Sequence, residues 1–213
     1  MNWKWSVVAI LLIASISCMR NAKEKKELPV LGAKDVVRQD ENGENYIDTV
    51  YAQIDDFSFT DQDSNTVTGD YYDGKVRVVD FFFTSCPTIC PKMKKQMLRA
   101  YEEFKGNKNV KFLSHSIDTR HDSVPVLNDY ANKLGIEANQ WKMVTGPEDD
   151  IYSIADEYLV SASEDSTAPG GYVHSGAFVL IDQNHQIRGY YDGTLPKDVD
   201  QMMIDIKSLL EEE

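Results

Sequence analysis

Hydrophobic and polar positions change their period along the chain in a way that predicts a mixed α/β domain. From residue 76 to residue 83 the chain is apolar on both faces except at Arg77 and Asp80, which is typical of a central parallel strand covered on both sides. Apolar residues then recur at helical spacing from residue 91 to about residue 105, with lysines between them. This spacing predicts an amphipathic surface helix. Its apolar positions are Met93, Met97, Ala100, Tyr101 and Phe104.

The same two periods predict the rest of the domain. In chain order we expect a strand at 110–117, a helix at 123–134, a strand at 141–144, a helix at 148–158, a loop at 161–172, strands at 176–181 and 186–191, and a last helix from residue 194. This order is that of a thioredoxin-like fold, an α/β fold with a central mixed sheet flanked by helices. The first strand pair is parallel because a strand–helix–strand crossover joins it.

Upstream of this domain, short β signals predict an N-terminal β-hairpin extension over residues 28–54. Its signals lie at 28–31 and 46–50, on either side of a polar turn at 40–43. A further β signal at 57–59 is followed by a polar turn at 61–65 that leads into 66–68. The folded domain itself is then expected at 55–213, which is long enough to bury a sizeable core.

The first residues predict export. One charge, Lys4, precedes an apolar run at 7–14 that is shorter than the roughly 20 residues a membrane span needs and fits a signal peptide. Small residues then precede Cys18. This segment resembles a bacterial lipobox, except that Ser15 stands where leucine is usual. We therefore expect a signal peptide at 1–17, a lipidated Cys18 and a polar tether at 18–27. This lipoprotein would be tethered to a membrane and face the periplasm or another extracytoplasmic space. An uncleaved anchor and a plain signal peptide are the alternatives.

The charge balance narrows the range of partners. The formal net charge is -13, which argues against nucleic acid as a partner. It favours cationic partners only weakly, because acidic surfaces also serve solubility.

Cys86 and Cys90 are the only thiols left once Cys18 is assigned to a lipid. They lie where the predicted strand meets the predicted helix. Pro91 fits the first helical position because its missing N–H has no intrahelical acceptor, which makes Cys90 the expected N-cap. The positive end of the helix dipole favours the thiolate at both cysteines. A disulfide across so short a loop stabilises a fold weakly, so we expect a pair that forms a functional disulfide, attacks one, or binds a soft metal ion.

Several motifs together resemble the SCO/SenC family of copper chaperones. They are the Cys-x-x-x-Cys-Pro signature within 82–91, Asp118 at the end of 116–118 with Asp122 after it, the segment 141–146, and His174 before a strand that ends at 180–182. The resemblance covers roughly residues 55–210. One departure is that the family often has an aspartate just before the histidine, where this chain has Tyr172 and Val173.

The resemblance implies both a function and a set of ligands. Members of the family are thioredoxin-like, membrane-tethered and outward-facing, and they deliver copper to the dinuclear copper site of cytochrome c oxidase subunit II. Carried over residue by residue, Cys86, Cys90 and His174 would be the copper ligands. The implied partners are subunit II or a similar acceptor, an unidentified copper donor, and the membrane through the lipid anchor.

The chemistry of these residue types agrees with copper. Thiolates suit Cu(I), and an added imidazole makes a site that also holds Cu(II). The two methionines of the first helix have core spacing and are assigned to the core rather than to copper. Of the other histidines, His115 alternates with apolar residues and is assigned to the core, whereas His121 and His185 are expected to be solvated. Two roles are possible for Asp118 and Asp122. They could orient the site, or they could stabilise the turn and cap the helix that follows it.

The competing hypothesis is a thiol–disulfide oxidoreductase that reduces cysteines of the oxidase copper site or of other exported proteins. Catalytic thioredoxins have two residues between their cysteines, whereas this chain has three. They also have a proline just before the strand that faces the thiols, where Val173 and His174 stand here. A metal-capable histidine in place of a backbone-binding proline favours metal over peptide disulfide. A third hypothesis, a peroxide or redox sensor, leaves His174 without a role.

Overall fold

The structure is a computed structural model, and it describes residues 27–51, 53–54 and 56–212. The predicted signal peptide, Cys18 and all but the last residue of the predicted tether lie outside the described residues. Within the described part of the chain, no helix is both long enough and apolar enough to cross a membrane.

Eleven strands and four α-helices make up the described chain. In order they are β1 (Ala33–Gln39), β2 (Asn45–Tyr51), β3 (Ser58–Asp61), β4 (Thr66–Thr68), β5 (Val76–Phe82), α1 (Cys90–Glu103), β6 (Val110–Ser116), α2 (Val124–Leu134), β7 (Trp141–Thr145), α3 (Glu148–Glu157), β8 (Ala162–Glu164), β9 (Tyr172–His174), β10 (Ala177–Ile181), β11 (Ile187–Asp192) and α4 (Pro196–Leu209). A short 3-10 helix, Gly69–Tyr72, joins β4 to β5.

The core is a seven-stranded mixed sheet in the order β11-β10-β5-β6-β7-β3-β4. Strands β5, β6 and β7 are parallel, and the remaining pairs are antiparallel. Helices α1 and α2 return the chain in the same direction across the sheet, so right-handed crossovers place both on one face. Contacts agree, because Lys94 of α1 reaches Asp80 and Tyr130 of α2 packs on Phe82. On the other face, Tyr158 at the end of α3 packs on Phe81.

The N-terminal β-hairpin is confirmed, but its first strand lies later than the sequence predicts. The apolar segment 28–31 is not a strand: Leu28 is buried in the core, and the backbone N–H of Leu31 donates to the carbonyl of Ile187. Gly32 then takes a left-handed φ of 73°, which glycine adopts without steric cost, and β1 begins at the next residue. Strand β1 pairs along its length with β2 in a separate two-stranded sheet.

The predicted loop at 161–172 is also wrong in part. It contains β8 and the first residue of β9, which pair with each other as a small antiparallel sheet. The side chains of these strands are mostly exposed or half-buried. They therefore lack the apolar alternation by which strands are recognised in a sequence, and backbone hydrogen bonds between the two strands hold them instead.

The interpretation of helix α1 as carrying its lysines on the surface is wrong for Lys94. This side chain is 2% exposed, and its ammonium lies 2.7 Å from a carboxylate oxygen of Asp80 and 3.0 Å from the hydroxyl of Ser114. The assignment of the two methionines to the core is confirmed, since Met93 and Met97 are both buried.

Candidate metal centre

The loop after β5 places the two cysteines at the start of α1. Cys90 is the first residue of the helix rather than its N-cap, and Ile89 takes the N-cap position. The prediction of Cys90 as N-cap is therefore wrong by one residue. The reason is that the carbonyl of Ile89 already accepts the N–H groups of Lys92 and Met93, each at 3.0 Å. Both thiols are free in the structure and buried.

His174 comes from the opposite side of the site, on the β8–β9 hairpin. It is the last residue of β9, a strand that the sequence does not predict, and β10 begins three residues later at Ala177. Its Nδ1 lies 2.9 Å from the carbonyl oxygen of Ser175, which accepts a hydrogen bond from the N–H of that nitrogen. The tautomer therefore leaves the lone pair of Nε2 directed toward Cys90, whose Sγ lies 3.1 Å away.

Cys86, Cys90 and His174 form one buried group whose possible ligand atoms all lie within 4.8 Å of one another. Ligand atoms around one small transition-metal ion lie about 3–4 Å apart when the bonds are about 2.0–2.3 Å long. A carbonyl bound to the distal nitrogen of a histidine is also the usual arrangement behind a metal-ligating imidazole. The Cys86–Cys90–His174 cluster is therefore suited to hold a soft or borderline metal ion with little rearrangement.

The two thiols differ in their acidity. Burial acts to raise the pKa of Cys86, but hydrogen bonds from the Cys90 thiol and from the backbone N–H groups of Thr88 and Cys90 outweigh it and lower that pKa below its ordinary value. Burial and the hydrogen bond to Cys86 raise the pKa of Cys90 well above its ordinary value. Burial also lowers the pKa of His174, which keeps the imidazole neutral and able to coordinate.

A cavity of about 160 Å³ opens beside the cluster. Cys86 and His174 line it, whereas Cys90 does not, and the remaining wall is mostly apolar: Phe83, Thr88, Ile89, Ala168, Pro169, Tyr172 and Val173. A ligand entering from this side reaches Cys86 and His174 before it reaches Cys90. Apolar walls around a metal site limit water access and strengthen the electrostatic interactions inside it.

Asp118 does not touch the three ligands through any described contact, but it holds the hairpin that carries one of them. Its Oδ1 accepts a hydrogen bond from the hydroxyl of Tyr172 at 2.9 Å, two residues before His174. The ring of Tyr172 also packs on Phe83, with ring centroids 5.3 Å apart. In this chain, which has no aspartate just before the histidine, a carboxylate from another loop is therefore tied to the hairpin through a tyrosine.

Asp122 fixes the other side of the site, the loop that carries the cysteines. Its carboxylate accepts hydrogen bonds from the backbone N–H and the hydroxyl of Thr84, at 2.9 and 2.5 Å, and from the hydroxyl of Ser116 at 2.6 Å. Asp122 thus joins the Cys loop to the end of β6. The sequence offers Asp122 as a candidate, but it gives no signal for Thr84.

Gly170 lets the hairpin approach the Cys loop closely. Its φ is 89°, and a Cβ at this position would lie 2.8 Å from the ring of Phe83 and 3.3 Å from Cδ of Pro87. Only glycine therefore fits both the backbone conformation and the available space.

The remaining histidines lie apart from the cluster. His115 is confirmed as a core residue: it is fully buried and stacks on Phe81 with ring centroids 5.0 Å apart. The side chain of His121 is 78% exposed, as expected, although its Nδ1 also contacts Asp118. The expectation for His185 is wrong, because its side chain is 21% exposed and lies between Arg77 and Asp73.

The chain is similar in structure to several solved proteins. A SCO1/SenC family lipoprotein from Bacillus anthracis is 28% identical with a TM-score of 0.69, over 76% of this chain and 96% of that one. BsSco, described as a Sco family cytochrome c oxidase assembly protein with a disulfide switch, is 25% identical with a TM-score of 0.66, over 75% of this chain and 94% of that one. Arabidopsis thaliana ScoI with copper bound is 24% identical with a TM-score of 0.63, over 75% of this chain and 99% of that one, and this likeness shows the fold.

The fold and the site together define the class of protein. It is a thioredoxin-like protein with an N-terminal β-hairpin and with two thiols and an imidazole at the start of the helix that follows its central strand. The family model described as SCO1/SenC matches residues 48–211. The chain therefore belongs to the SCO1/SenC family, as its motifs predict.

Proposed function

We propose that this protein is a copper chaperone that delivers copper to the dinuclear copper site of cytochrome c oxidase subunit II or of a similar acceptor. The observation that carries the proposal is the Cys86–Cys90–His174 cluster, with its ligand atoms within 4.8 Å of one another. Two sulfur donors and one imidazole suit copper better than they suit hard cations. Family membership and the copper bound in related Sco proteins support the same choice.

The ligands have different roles for the two oxidation states of copper. Cu(I) is soft and accepts low coordination, so Cys86 and Cys90 suffice to hold it. Cu(II) prefers higher coordination and a nitrogen donor, so it depends on His174. Copper is the cargo of the protein, and its release is helped because His174 belongs to the small β8–β9 sheet rather than to the main sheet.

The proposed location is the outer face of a membrane, with the signal peptide removed and Cys18 lipidated. The similarity to a family lipoprotein supports this location. Changing Cys18 to serine should abolish lipid labelling and leave the signal uncleaved or cut elsewhere. An unchanged membrane fraction with no lipid label on the parent protein would instead identify the apolar segment as the anchor.

The proposed function also requires a copper donor, which is not identified.

Copper content as a function of redox state tests the proposed site. Coordination needs both sulfurs as thiolates, and a Cys86–Cys90 disulfide removes both. The purified full-length chain should bind one copper when reduced and essentially none when oxidised. Equal copper content in the two forms would contradict the proposal.

A pair of histidine variants tests the role of the imidazole. His174→Ala should keep most Cu(I) binding, measured by competition with a chromophoric chelator, and should lose the thiolate-to-Cu(II) absorption bands and the ability to load the acceptor. His121→Ala is the matched control, because its ring is on the surface near the site but outside the cluster. Parental Cu(II) bands in His174→Ala would show that His174 is not a ligand.

A second candidate function is thiol–disulfide exchange with the cysteines of the acceptor. The contrast between the two thiols supports it, since the pKa of Cys86 is lowered and that of the more buried Cys90 is raised. Such a pair has a nucleophile and a resolving thiol. The disulfide switch described for BsSco is also consistent with it. In an insulin-reduction assay a chaperone should be far less active than a thioredoxin, and comparable turnover would place the reductase function first.

A further inference from the structure

The end of the central sheet that lies away from the cysteines carries a group of three lysines. Lys75 directly precedes β5, and Lys111 and Lys142 are the second residues of β6 and β7, the strands parallel to β5 and β6. The ammonium groups of Lys75, Lys111 and Lys142 lie 5.8, 5.4 and 4.8 Å from the ring centroid of Tyr71. The candidate metal centre lies beyond the other end of β5, so the two features are separate.

The positive charge of this lysine group is compensated only in part. Lys142 pairs with the buried carboxylate of Asp61 at 2.6 Å. Lys75 and Lys111 instead donate to backbone carbonyls, at 3.0 and 2.6 Å. Burial and repulsion from the other two lysines lower the pKa of Lys111. This end of a protein with a net charge of -13 therefore carries positive charge that its described carboxylate partner does not balance.

A cavity of about 350 Å³ opens beside the lysine group. Lys108 and Lys111 line it, and none of the seven described residues in its wall is acidic. Small-molecule sites have volumes of roughly 300–1,000 Å³, so this cavity has room for a ligand of several atoms next to the two lysines.

The walls of the cavity are held in place by hydrogen bonds. Gln140 is 6% exposed; its Oε1 accepts the backbone N–H of Gly106 at 2.9 Å, and its Nε2 donates to a backbone carbonyl of the same turn at 2.6 Å. The carbonyl oxygen of Asn139 accepts both the hydroxyl of Tyr71 and the ammonium of Lys111, each at 2.6 Å. An ammonium has three donors. Lys111 is therefore fixed by one described hydrogen bond and keeps donors for a ligand.

The chemistry of the cavity favours an anion with several oxygen atoms. Lysine binds phosphate groups as a compact positive charge with hydrogen-bond donors. Lys108 and Lys111 provide two such charges in the cavity wall, and the charges of Lys75 and Lys142 act on the same space. A halide ion would fill little of this volume, whereas a phosphate group has oxygens for both lysines of the wall.

We propose that this cavity binds a phosphate group, held by the ammonium groups of Lys108 and Lys111 and attracted by those of Lys75 and Lys142. The phosphate group belongs either to free phosphate or to an anionic lipid headgroup, since both present the same negatively charged oxygens.

The place where the chain enters the domain makes a lipid headgroup a reachable source. The backbone N–H of Leu31 donates to the carbonyl of Ile187, the first residue of β11. Both Ile187 and Arg77, near the start of β5, are in register with Ile181. The chain therefore enters at the end of the sheet that carries the lysine group. The lipid source rests on the lipid anchor proposed at Cys18, whereas the phosphate site itself does not rest on the proposed function.

An NMR titration of the purified full-length chain in detergent, at constant ionic strength, tests the proposal with inorganic phosphate as the probe and acetate as the comparison anion. The amide signals of Gly106 and Asn107, which line the cavity, should shift saturably with phosphate, and acetate should bind more weakly. Lys108→Gln and Lys111→Gln should each weaken phosphate binding by at least about tenfold, the loss expected for one hydrogen bond to a charged group. Lys133→Gln is the matched control and should leave the affinity unchanged, because Lys133 lies on the exposed side of α2 and pairs with Asp129.

Two water-soluble headgroups, glycerophosphoglycerol and glycerophosphocholine, identify the source of the phosphate group. Stronger binding of the anionic headgroup than of the zwitterionic one, with shifts of the same signals, supports a lipid headgroup, and binding of inorganic phosphate alone supports free phosphate. The proposal is overturned if phosphate and acetate bind equally, if the shifts lie away from the cavity, or if both lysine variants keep the parental affinity. None of these readouts needs copper or the lipid anchor, so a failure of the proposed function would leave them unaffected.

Discussion

Arg77 and Lys94 are the two most deeply buried cations of the described residues, at 1% and 2% exposure; they lie on opposite faces of the central sheet and have different partners. On the face that carries α1, Lys94 contacts the carboxylate of Asp80 and the hydroxyl of Ser114, which also accepts the indole N–H of Trp141 at 2.9 Å. On the other face, Arg77 has one neutral partner, His185, and two unpaired nitrogens among the described residues. Burial alone therefore does not say whether a charge is compensated, and the donors and acceptors of each group have to be counted.

The compensated cation lies beneath the candidate metal centre. Lys94 is one helical turn after Cys90, and its ammonium also lies 3.9 Å from the ring centroid of Phe82. The pair with Asp80 therefore joins the start of α1 to the strand that leads into the Cys loop. The contrast between Lys94 and Arg77 can be tested through stability, with the effects given below from the largest to the smallest.

Changing Asp80 to asparagine should have the largest effect. It leaves the ammonium of Lys94 buried without a counter-charge, which costs about 3–5 kcal/mol in the free energy of unfolding. The matched control is Glu103→Gln, which breaks an exposed ion pair with Lys207 and should cost about 0–1 kcal/mol. Urea denaturation measures both values, and similar losses in the two variants would remove the basis of the comparison.

A change of pH should have the next largest effect, through His115. Burial lowers its pKa to about 3, whereas the unfolded chain binds a proton at a pKa of about 6.5. The unfolded state therefore holds more protons below that pH, and stability falls as the pH drops from about 6.5 toward 3. This group alone should lower the free energy of unfolding by about 2 kcal/mol at pH 5 relative to pH 7.5.

The variant His115→Phe isolates this contribution, since a phenyl ring can keep the stacking on Phe81. Urea denaturation at the two pH values should show a pH dependence smaller by about 2 kcal/mol in the variant than in the parent. If parent and variant lose the same stability on acidification, His115 is not the group that titrates.

Replacement of Arg77 by methionine should have a small effect on stability. The variant removes a charge that lacks full compensation and puts an apolar side chain of similar length in its place, so stability should change by no more than about 1 kcal/mol in either direction. Lys94→Met, the same chemical change on the opposite face, leaves Asp80 unpaired and should cost several times more. A loss above about 3 kcal/mol for Arg77→Met, measured by urea denaturation, would mean that the guanidinium is well compensated by its surroundings.

The smallest effect is expected for Tyr72→Phe. The hydroxyl has no partner among the described residues, so its removal should change stability by less than about 0.5 kcal/mol or give a slight gain. Ser114→Ala is the counterpart on the other face and should cost about 1–3 kcal/mol, because it leaves the indole N–H of Trp141 and part of the Lys94 ammonium without an acceptor. Calorimetric unfolding of the two variants separates these outcomes.

The sequence alone predicts those parts of the molecule whose structure depends on a local pattern of residues. Helices α1 to α4 and the strands of the parallel core follow from apolar spacing, and Gly135, with φ 70°, ends α2 where the sequence predicts. The cysteine pair is recognisable because its signature is local. His174 could be selected only by its order in the family motif, since no local pattern relates it to residues 84 positions earlier.

The remaining features depend on contacts between distant segments. The burial of Lys94 follows from Asp80 on the neighbouring strand, and a periodic pattern with lysines between apolar residues does not reveal such a partner. His185 lies in a hairpin turn by sequence, and only the sheet brings Arg77 to it. Strands β8 and β9 are held by each other and have little buried surface, so their composition resembles that of a loop.

The origin of the three candidate ligands has a consequence for the biosynthesis of the protein. Cys90 and His174 are 84 residues apart, and β9 and the second half of the sheet must form before the imidazole meets the sulfurs. A chain that extends only as far as α2 contains both thiols but lacks His174. If the three residues bind copper as proposed, three-ligand binding therefore requires a completed fold, and a chain truncated before β9 can offer copper only the two thiols.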